Sequence, residues 1–317
     1  MWRRHFLREE RCLPIKRERN ATDPVACRGP LKTAKKKKAA KMTGVEAAEP
    51  YRLVPSKHGP VLVNRHDFYM GQALLKYGEY SELEVQFLLM LLRFPGLVIE
   101  VGANMGTLTV PLAAELAKQG REMLVFEPQP VIFQQLCANL ALNGLMNVKA
   151  LPYACGKENG AVQFAVPDYR ALGNFGSTSM HTGPVAATRT ETVQCVRLDD
   201  LVGSAEVGVM KIDVEGFELS VLQGCAGLLE RSKPVLYVEN DRLDQSAELI
   251  QWLMDRDYRL WWHIPLLYNQ DNYLGVKEDI YPGIHSINML CVPKARSTKI
   301  EGLIEIVDPH FHPLRQN

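Results

Sequence analysis

The chain has 317 residues, 46% of them hydrophobic, with 37 Lys/Arg against 36 Asp/Glu, the composition of an ordinary globular protein able to build a sizeable core. No apolar run approaches the ~18 residues of a membrane-spanning helix. Seven cysteines, an odd set without a Cys-x-x-Cys pair, argue against a disulfide framework and for a reduced, cytoplasmic protein.

The net charge of +1 is unevenly placed. Residues 1–41 hold fourteen basic and four acidic residues, so a basic tail precedes an acidic body. Residues 1–45 lack periodicity and read as disordered, with the run Lys35-Lys36-Lys37-Lys38 near their end. Arg3-Arg4-His5-Phe6-Leu7-Arg8 has the look of a twin-arginine signal, but Glu9-Glu10-Arg11 stands where the apolar stretch belongs. Three early glutamates argue likewise against a mitochondrial presequence. Met42 follows the tail directly, so residues 1–41 also fit an upstream-start extension. Residues 46–95 are expected to be an N-terminal cap segment and helix, 96–295 the main domain, and 296–317 a C-terminal tail.

Organised sequence begins near Val61-Leu62-Val63. Ser81-Glu82-Leu83-Glu84 has capping-box spacing and predicts a helix from Glu82 to about Arg93, which Pro95-Gly96 ends. Leu97 to Val101 reads as a strand. A helix from about Met105 to Gln119 carries Pro111 in its second turn and should bend there. Met123 to Phe126 is the next strand, and Pro130 opens a helix capped by Asn143-Gly144. A third strand fits Val148 to Tyr153. Residues 161–166 and 192–198 read as strands around a Gly/Ser/Thr-rich stretch, Asp168 to Thr190, either a lid or an insertion. The rest alternates: strand Val207 to Ile212, a helix to about Glu230, strand Val235 to Val238, a helix from Asp244 to Met254, and strands Tyr258 to Trp262 and Ile287 to Val292. Such alternation predicts an α/β fold with a mostly parallel sheet and helices on both faces.

Chemistry concentrates at strand ends. Val98-Ile99-Glu100-Val101-Gly102-Ala103-Asn104-Met105-Gly106 is a strand running into a glycine turn, and about twenty residues on, Phe126-Glu127-Pro128 ends the next strand with a carboxylate. Glycine permits close backbone approach to a ligand, and a carboxylate at that position accepts from ribose hydroxyls. Gly-x-x-x-Gly replaces the dinucleotide pattern and suits a nucleoside without a pyrophosphate, which points to S-adenosylmethionine.

With Leu198-Asp199-Asp200-Leu201, Lys211-Ile212-Asp213-Val214-Glu215-Gly216-Phe217-Glu218, Tyr237-Val238-Glu239-Asn240-Asp241 and Asn288-Met289-Leu290-Cys291-Val292-Pro293 added, the chain resembles the FkbM-type methyltransferases over roughly residues 65 to 293. The resemblance implies a Rossmann-like class I methyltransferase fold with a seven-stranded sheet whose last strand is antiparallel. It implies methyl transfer from S-adenosylmethionine to an acceptor oxygen. Glu100, Gly102, Ala103, Asn104 and Gly106 would then hold the methionine end, Glu127 and Pro128 the ribose, and Ala154-Cys155 the adenine, with Tyr80 closing over the cofactor.

A hydroxyl acceptor must lose a proton, to a carboxylate, a histidine or a metal-bound group. Asp213, Glu215 and His263 are the candidate catalytic residues, all at strand ends. Asp213 with Glu239-Asn240 resembles the magnesium ligands of catechol-type O-methyltransferases; the alternative is that Glu215 and Glu239 cap turns or pair with Lys211. Trp261, Trp262, Tyr268, Tyr273, Tyr281 and His285 are candidates for an acceptor-binding rim. The expected acceptor is a small molecule or glycan. A nucleic-acid acceptor bound through the basic tail is a rival reading, which the acidic body opposes, and a non-catalytic cofactor-binding module is another.

Overall fold

The computed structural model describes residues 47–178, 189–296 and 299–315. The basic tail therefore lies outside the described residues. The chain opens with a hairpin, β1 (Tyr51–Ser56) and β2 (Gly59–Asn64), and helix α1 (Met70–Tyr77). Then come α2 (Glu82–Leu91), β3 (Leu97–Val101), α3 (Thr109–Lys118), β4 (Met123–Phe126), α4 (Pro130–Leu142) and β5 (Val148–Leu151). Strands β6 (Ala154–Cys155), β7 (Gly160–Ala165) and β8 (Thr190–Val196) form a small sheet in the order β6-β8-β7. The second half comprises α5 (Leu198–Val202), β9 (Val207–Ile212), α6 (Glu218–Gln223), α7 (Ala226–Ser232), β10 (Val235–Glu239), α8 (Ser246–Met254), β11 (Tyr258–His263), β12 (Asn288–Pro293) and β13 (Ile304–Ile306).

The main sheet has eight strands in the order β13-β11-β12-β10-β9-β3-β4-β5. Strands β10, β9, β3, β4 and β5 run parallel, while β12 inserts antiparallel between β10 and β11. The expected seven-stranded arrangement is present. Beyond residue 295, β13 adds an edge strand by pairing antiparallel with β11.

Alternation along the strands divides the core into two layers. Ile99, Val101, Met210, Ile212, Leu236 and Val238 pack with Leu222, Leu229 and Ile250 of α6, α7 and α8. Val98, Val125, Val209 and Tyr237 pack on the other face with Leu88, Leu112, Leu116 and Leu136 of α2, α3 and α4.

Local chemistry explains three departures from the predicted elements. Helix α3 starts at Thr109, later than expected, so Pro111 stands in its first turn, where a missing N–H costs no intrahelical bond. Ser81 does not act as a capping box: its backbone is left-handed at φ 45° and ψ 45°, and its hydroxyl donates to Glu84 Oε2 at 2.9 Å. The helix expected to reach Glu230 is broken into α6 and α7 at Gly224. There a Cβ would lie 1.9 Å from the Gly156 carbonyl oxygen, so the backbones touch.

Candidate active site

The carboxyl ends of β3, β4, β9 and β10 open onto one cavity of about 150 Å³. Its floor is the turn after β3, where the N–H groups of Gly102 and Ala103 donate to the Phe126 carbonyl at 3.0 and 2.9 Å. Glu127 organises this turn. Its Oε2 accepts from Asn104 N at 2.9 Å and its Oε1 from Gln129 N at 2.8 Å. Asn104 sits at φ 47°, a left-handed conformation that asparagine tolerates, and its Oδ1 accepts from Met105 N at 2.7 Å.

Tyr80, Glu100, Gly102, Ala103, Asn104, Glu127, Pro128, Ala154, Cys155, Asp213, Glu215 and Glu239 all line the cavity. Two glycine expectations change in kind. Gly102 has φ 85°, and a Cβ there would lie 1.7 Å from the Asp213 carbonyl oxygen, so the tip of β9 takes the space assigned to a ligand. Gly106 stands outside the lining. It has φ 90°, and its Cβ would meet Leu136 Cδ1 of α4 at 2.8 Å, so it permits helix packing.

A buried ion cluster sits under the cavity. Register aligns Glu100 of β3 with Lys211 of β9, and Lys211 is 3% exposed. The Lys211 ammonium lies 2.9 Å from Asp213 Oδ2 and 3.7 Å from Glu100 Oε1, while Glu100 Oε2 accepts from Thr109 Oγ1 at 2.6 Å. Glu84 reaches the same cluster from α2, and burial pushes its carboxyl up to about 7. Glu127 is likewise held up at about 7 by burial. Glu215, at φ 56°, pairs with the Arg242 guanidinium, yet burial and Asp213 raise its carboxyl to about 8. Lys211 thus serves Asp213 and Glu100, not Glu215 or Glu239 as the sequence alternative had it.

Other expected residues lie elsewhere. His263 is not in the lining; its ring stacks on Phe87 at 4.1 Å and Nδ1 pairs with the Tyr237 hydroxyl at 2.8 Å. Burial lowers its pKa to about 4, so this half-buried ring is neutral. The expected magnesium set gains no support. Asp213 takes the Lys211 ammonium, and the Asn240 amide donates to Met289 Sδ at 3.2 Å. Among the described residues no three His, Cys, Asp or Glu side chains gather as metal ligands. Trp261 and Trp262 are core residues, Tyr268 and Tyr281 pack with Tyr77, and His285 is exposed with Nδ1 at the Gly283 carbonyl.

Sequence reasoning missed Glu84, Lys211 as a cavity residue, Tyr69 and Gln129, and it left the stretch that contains Asn174, Gly176 and Thr178 open between a lid and an insertion; these three line the cavity. Glu84 was visible only as a capping partner, because nothing in its spacing reports that α2 aims it across the sheet. The 168–178 stretch is tied down as well as lining: Gln129 Nε2 donates to the Phe175 carbonyl at 3.1 Å, and the Tyr169 hydroxyl donates to Gln129 Oε1 at 3.1 Å. Residues 179–188 of the expected lid lie outside the described residues.

The chain is similar in part to known methyltransferases. The hexuronic acid methyltransferase AglP of Haloferax volcanii is 31% identical over 134 residues, 41% of this chain and 50% of that protein. Methyltransferase 1 of Beauveria bassiana is 26% identical over 144 residues, 40% of this chain and 57% of that protein. The chain therefore spans about half the length of the curated relatives it matches. The crystal structure of methyltransferase FkbM from Methylobacillus flagellatus KT aligns with a TM-score of 0.41 at 16% identity, covering 62% of this chain and 43% of that one. The family model described as the methyltransferase FkbM domain matches residues 100–260, from Glu100 in β3 to Leu260 in β11. Half of the chain lies within that match, and it takes in the ends of β3, β4, β9 and β10: the protein belongs to the FkbM methyltransferase family.

Proposed function

We propose that the protein transfers a methyl group from S-adenosylmethionine to a hydroxyl of a small molecule or glycan. One observation carries the reading: six carboxylates line the cavity, those of Glu84, Glu100, Glu127, Asp213, Glu215 and Glu239, against Lys211 as its one basic side chain. Such a site attracts a cation and repels a pyrophosphate. S-adenosylmethionine carries a sulfonium and an ammonium against one carboxylate, a net positive charge; a dinucleotide carries two phosphate charges. Glu100 Oε1, buried and without a hydrogen bond, suits the ammonium of the methionine end. Both Glu127 oxygens retain a lone pair for ribose hydroxyls.

When bound, S-adenosylmethionine supplies an electrophilic methyl group. The chain's contribution is position and field: Lys211 fixes Asp213, Arg242 fixes Glu215, and both carboxylates favour a sulfonium beside the ends of β9 and β10. A glycan acceptor draws support from the name of the Haloferax relative. The acidic cavity disfavours a phosphate backbone, and with it the nucleic-acid rival.

Calorimetry on the full chain tests the reading. The wild type should bind S-adenosylmethionine and not NAD. Glu127→Ala, which removes two charge-assisted hydrogen bonds and the ribose acceptor, should bind ~10–100-fold more weakly. Binding of NAD in place of S-adenosylmethionine, or full affinity in Glu127→Ala, refutes it.

A further inference from the structure

We propose that Glu239 is the base that takes the proton of the acceptor hydroxyl, an assignment that rests on the methyltransferase reading above. The six cavity carboxylates differ in what already holds their oxygens. Glu84 Oε2 accepts from Ser81 at 2.9 Å, and both Glu127 oxygens accept backbone N–H groups. Glu100 accepts from Thr109 and faces Lys211, Asp213 faces Lys211, and Glu215 is paired with Arg242. Glu239 differs. Its Oε2 is shut from solvent with no hydrogen bond, and no ion pair reaches its carboxylate among the described residues.

A carboxylate already accepting from an ammonium or amide has its negative form stabilised and is the weaker base; one without donors keeps its basicity. Glu239 ends β10 opposite Asn288, and Ser286, two residues earlier, also lines the cavity. Glu239 therefore meets the cavity where β10 ends beside the approach to β12.

The groups facing Glu239 are Asp213 and Glu215 after β9, Glu218 at the start of α6, Asp241 and Arg242 beyond its own strand, Tyr237 within that strand, and Tyr80 before α2. Burial, and then this excess of carboxylates, raises its pKa well above the ordinary range. A sulfonium in the same cavity offsets that repulsion and favours the ionised form. The transfer then balances. The acceptor oxygen bonds the methyl carbon, the carbon–sulfur pair stays on sulfur, and the Glu239 carboxylate takes the hydroxyl proton, leaving a methyl ether, a neutral thioether and a carboxylic acid.

The test uses full-length Glu239→Gln and Glu239→Asp, checked for wild-type thermal unfolding. S-adenosylmethionine and S-adenosylhomocysteine, which differ by the methyl and the sulfonium charge, are the probes. Glu239→Gln should keep S-adenosylhomocysteine affinity within ~3-fold while losing ~10-fold for S-adenosylmethionine, because only the second presents a sulfonium to the missing carboxylate. With methyl glucoside and methyl glucuronide as acceptors, its kcat at saturating donor should fall ~10²-fold or more, and Glu239→Asp should fall between. Equal weakening of both probes, an unchanged kcat, or magnesium restoring a chelator-treated wild type would overturn the assignment. If neither glycoside is methylated, the two affinities decide alone. Failure of the wild type to bind S-adenosylmethionine refutes the methyltransferase reading itself, and Glu239 with it.

Discussion

Gly102 carries two constraints at one α-carbon: a left-handed φ of 85° and the Asp213 carbonyl oxygen 1.7 Å from where a Cβ would stand. Both belong to the fold, so a substitution there should act first on stability. Gly102→Ala is expected to lower the melting temperature of the ligand-free protein by the equivalent of ~3 kcal/mol or more, since neither backbone can yield cheaply. Thermal unfolding without ligand checks this. A normal melting temperature with lost S-adenosylmethionine affinity would return the glycine to a ligand-contact role. Glu127 makes the complementary point. The sequence marks it as a ribose acceptor, while the structure shows it first as the clamp that holds Asn104 and Gln129 in place.

Among the elements, the β1–β2 hairpin was the least visible in the sequence. It has no helix-like period, and only Val61-Leu62-Val63 marked it. Asn139 of α4 anchors it: Oδ1 accepts from Leu62 N at 2.6 Å, and Nδ2 donates to the Leu62 carbonyl at 3.2 Å and to the Met105 carbonyl at 2.8 Å. One side chain thus ties the hairpin to the glycine turn. Asn139→Ala should cost about 2–4 kcal/mol, the scale of several lost bonds and stranded backbone groups. It should also speed hydrogen exchange at the Leu62 amide, which donates to Asn139. Exchange unchanged at that amide would show that the hairpin is held by other contacts. The break between α6 and α7 teaches the same lesson, because Gly224 looks like any helix-weakening glycine until Gly156 is seen pressed against it.

At the scale of the whole molecule, the acidic cavity should make stability depend on pH. Burial holds Glu84 and Glu127 up at about 7 and Glu215 at about 8, against 4.5 for ordinary glutamate. A raised folded-state pKa means stability that is full below pH 4.5 and lost as pH rises through 7 to 8. His263, lowered to about 4 from 6.5, acts oppositely, and its contribution is complete above pH 6.5. Between pH 6.5 and 8 the carboxylates act alone, so the melting temperature of the ligand-free protein should fall across that window. A flat or rising profile would mean that the cavity carboxylates are ionised without cost. The alternating strands and helices, the mostly parallel sheet, the glycine turn, Glu127 and the Asp213–Glu215 motif were all legible in the sequence, because periodicity, turn residues and strand-end acids are local signals. Register and side-chain direction are not local. Only the tertiary structure pairs Lys211 with Glu100 across two strands, brings Glu84 from α2 to the same cluster, turns His263 toward Phe87, and leaves Glu239 Oε2 without a donor. Each of those outcomes depends on which faces meet when segments far apart in the chain pack together, and no spacing within one segment encodes it.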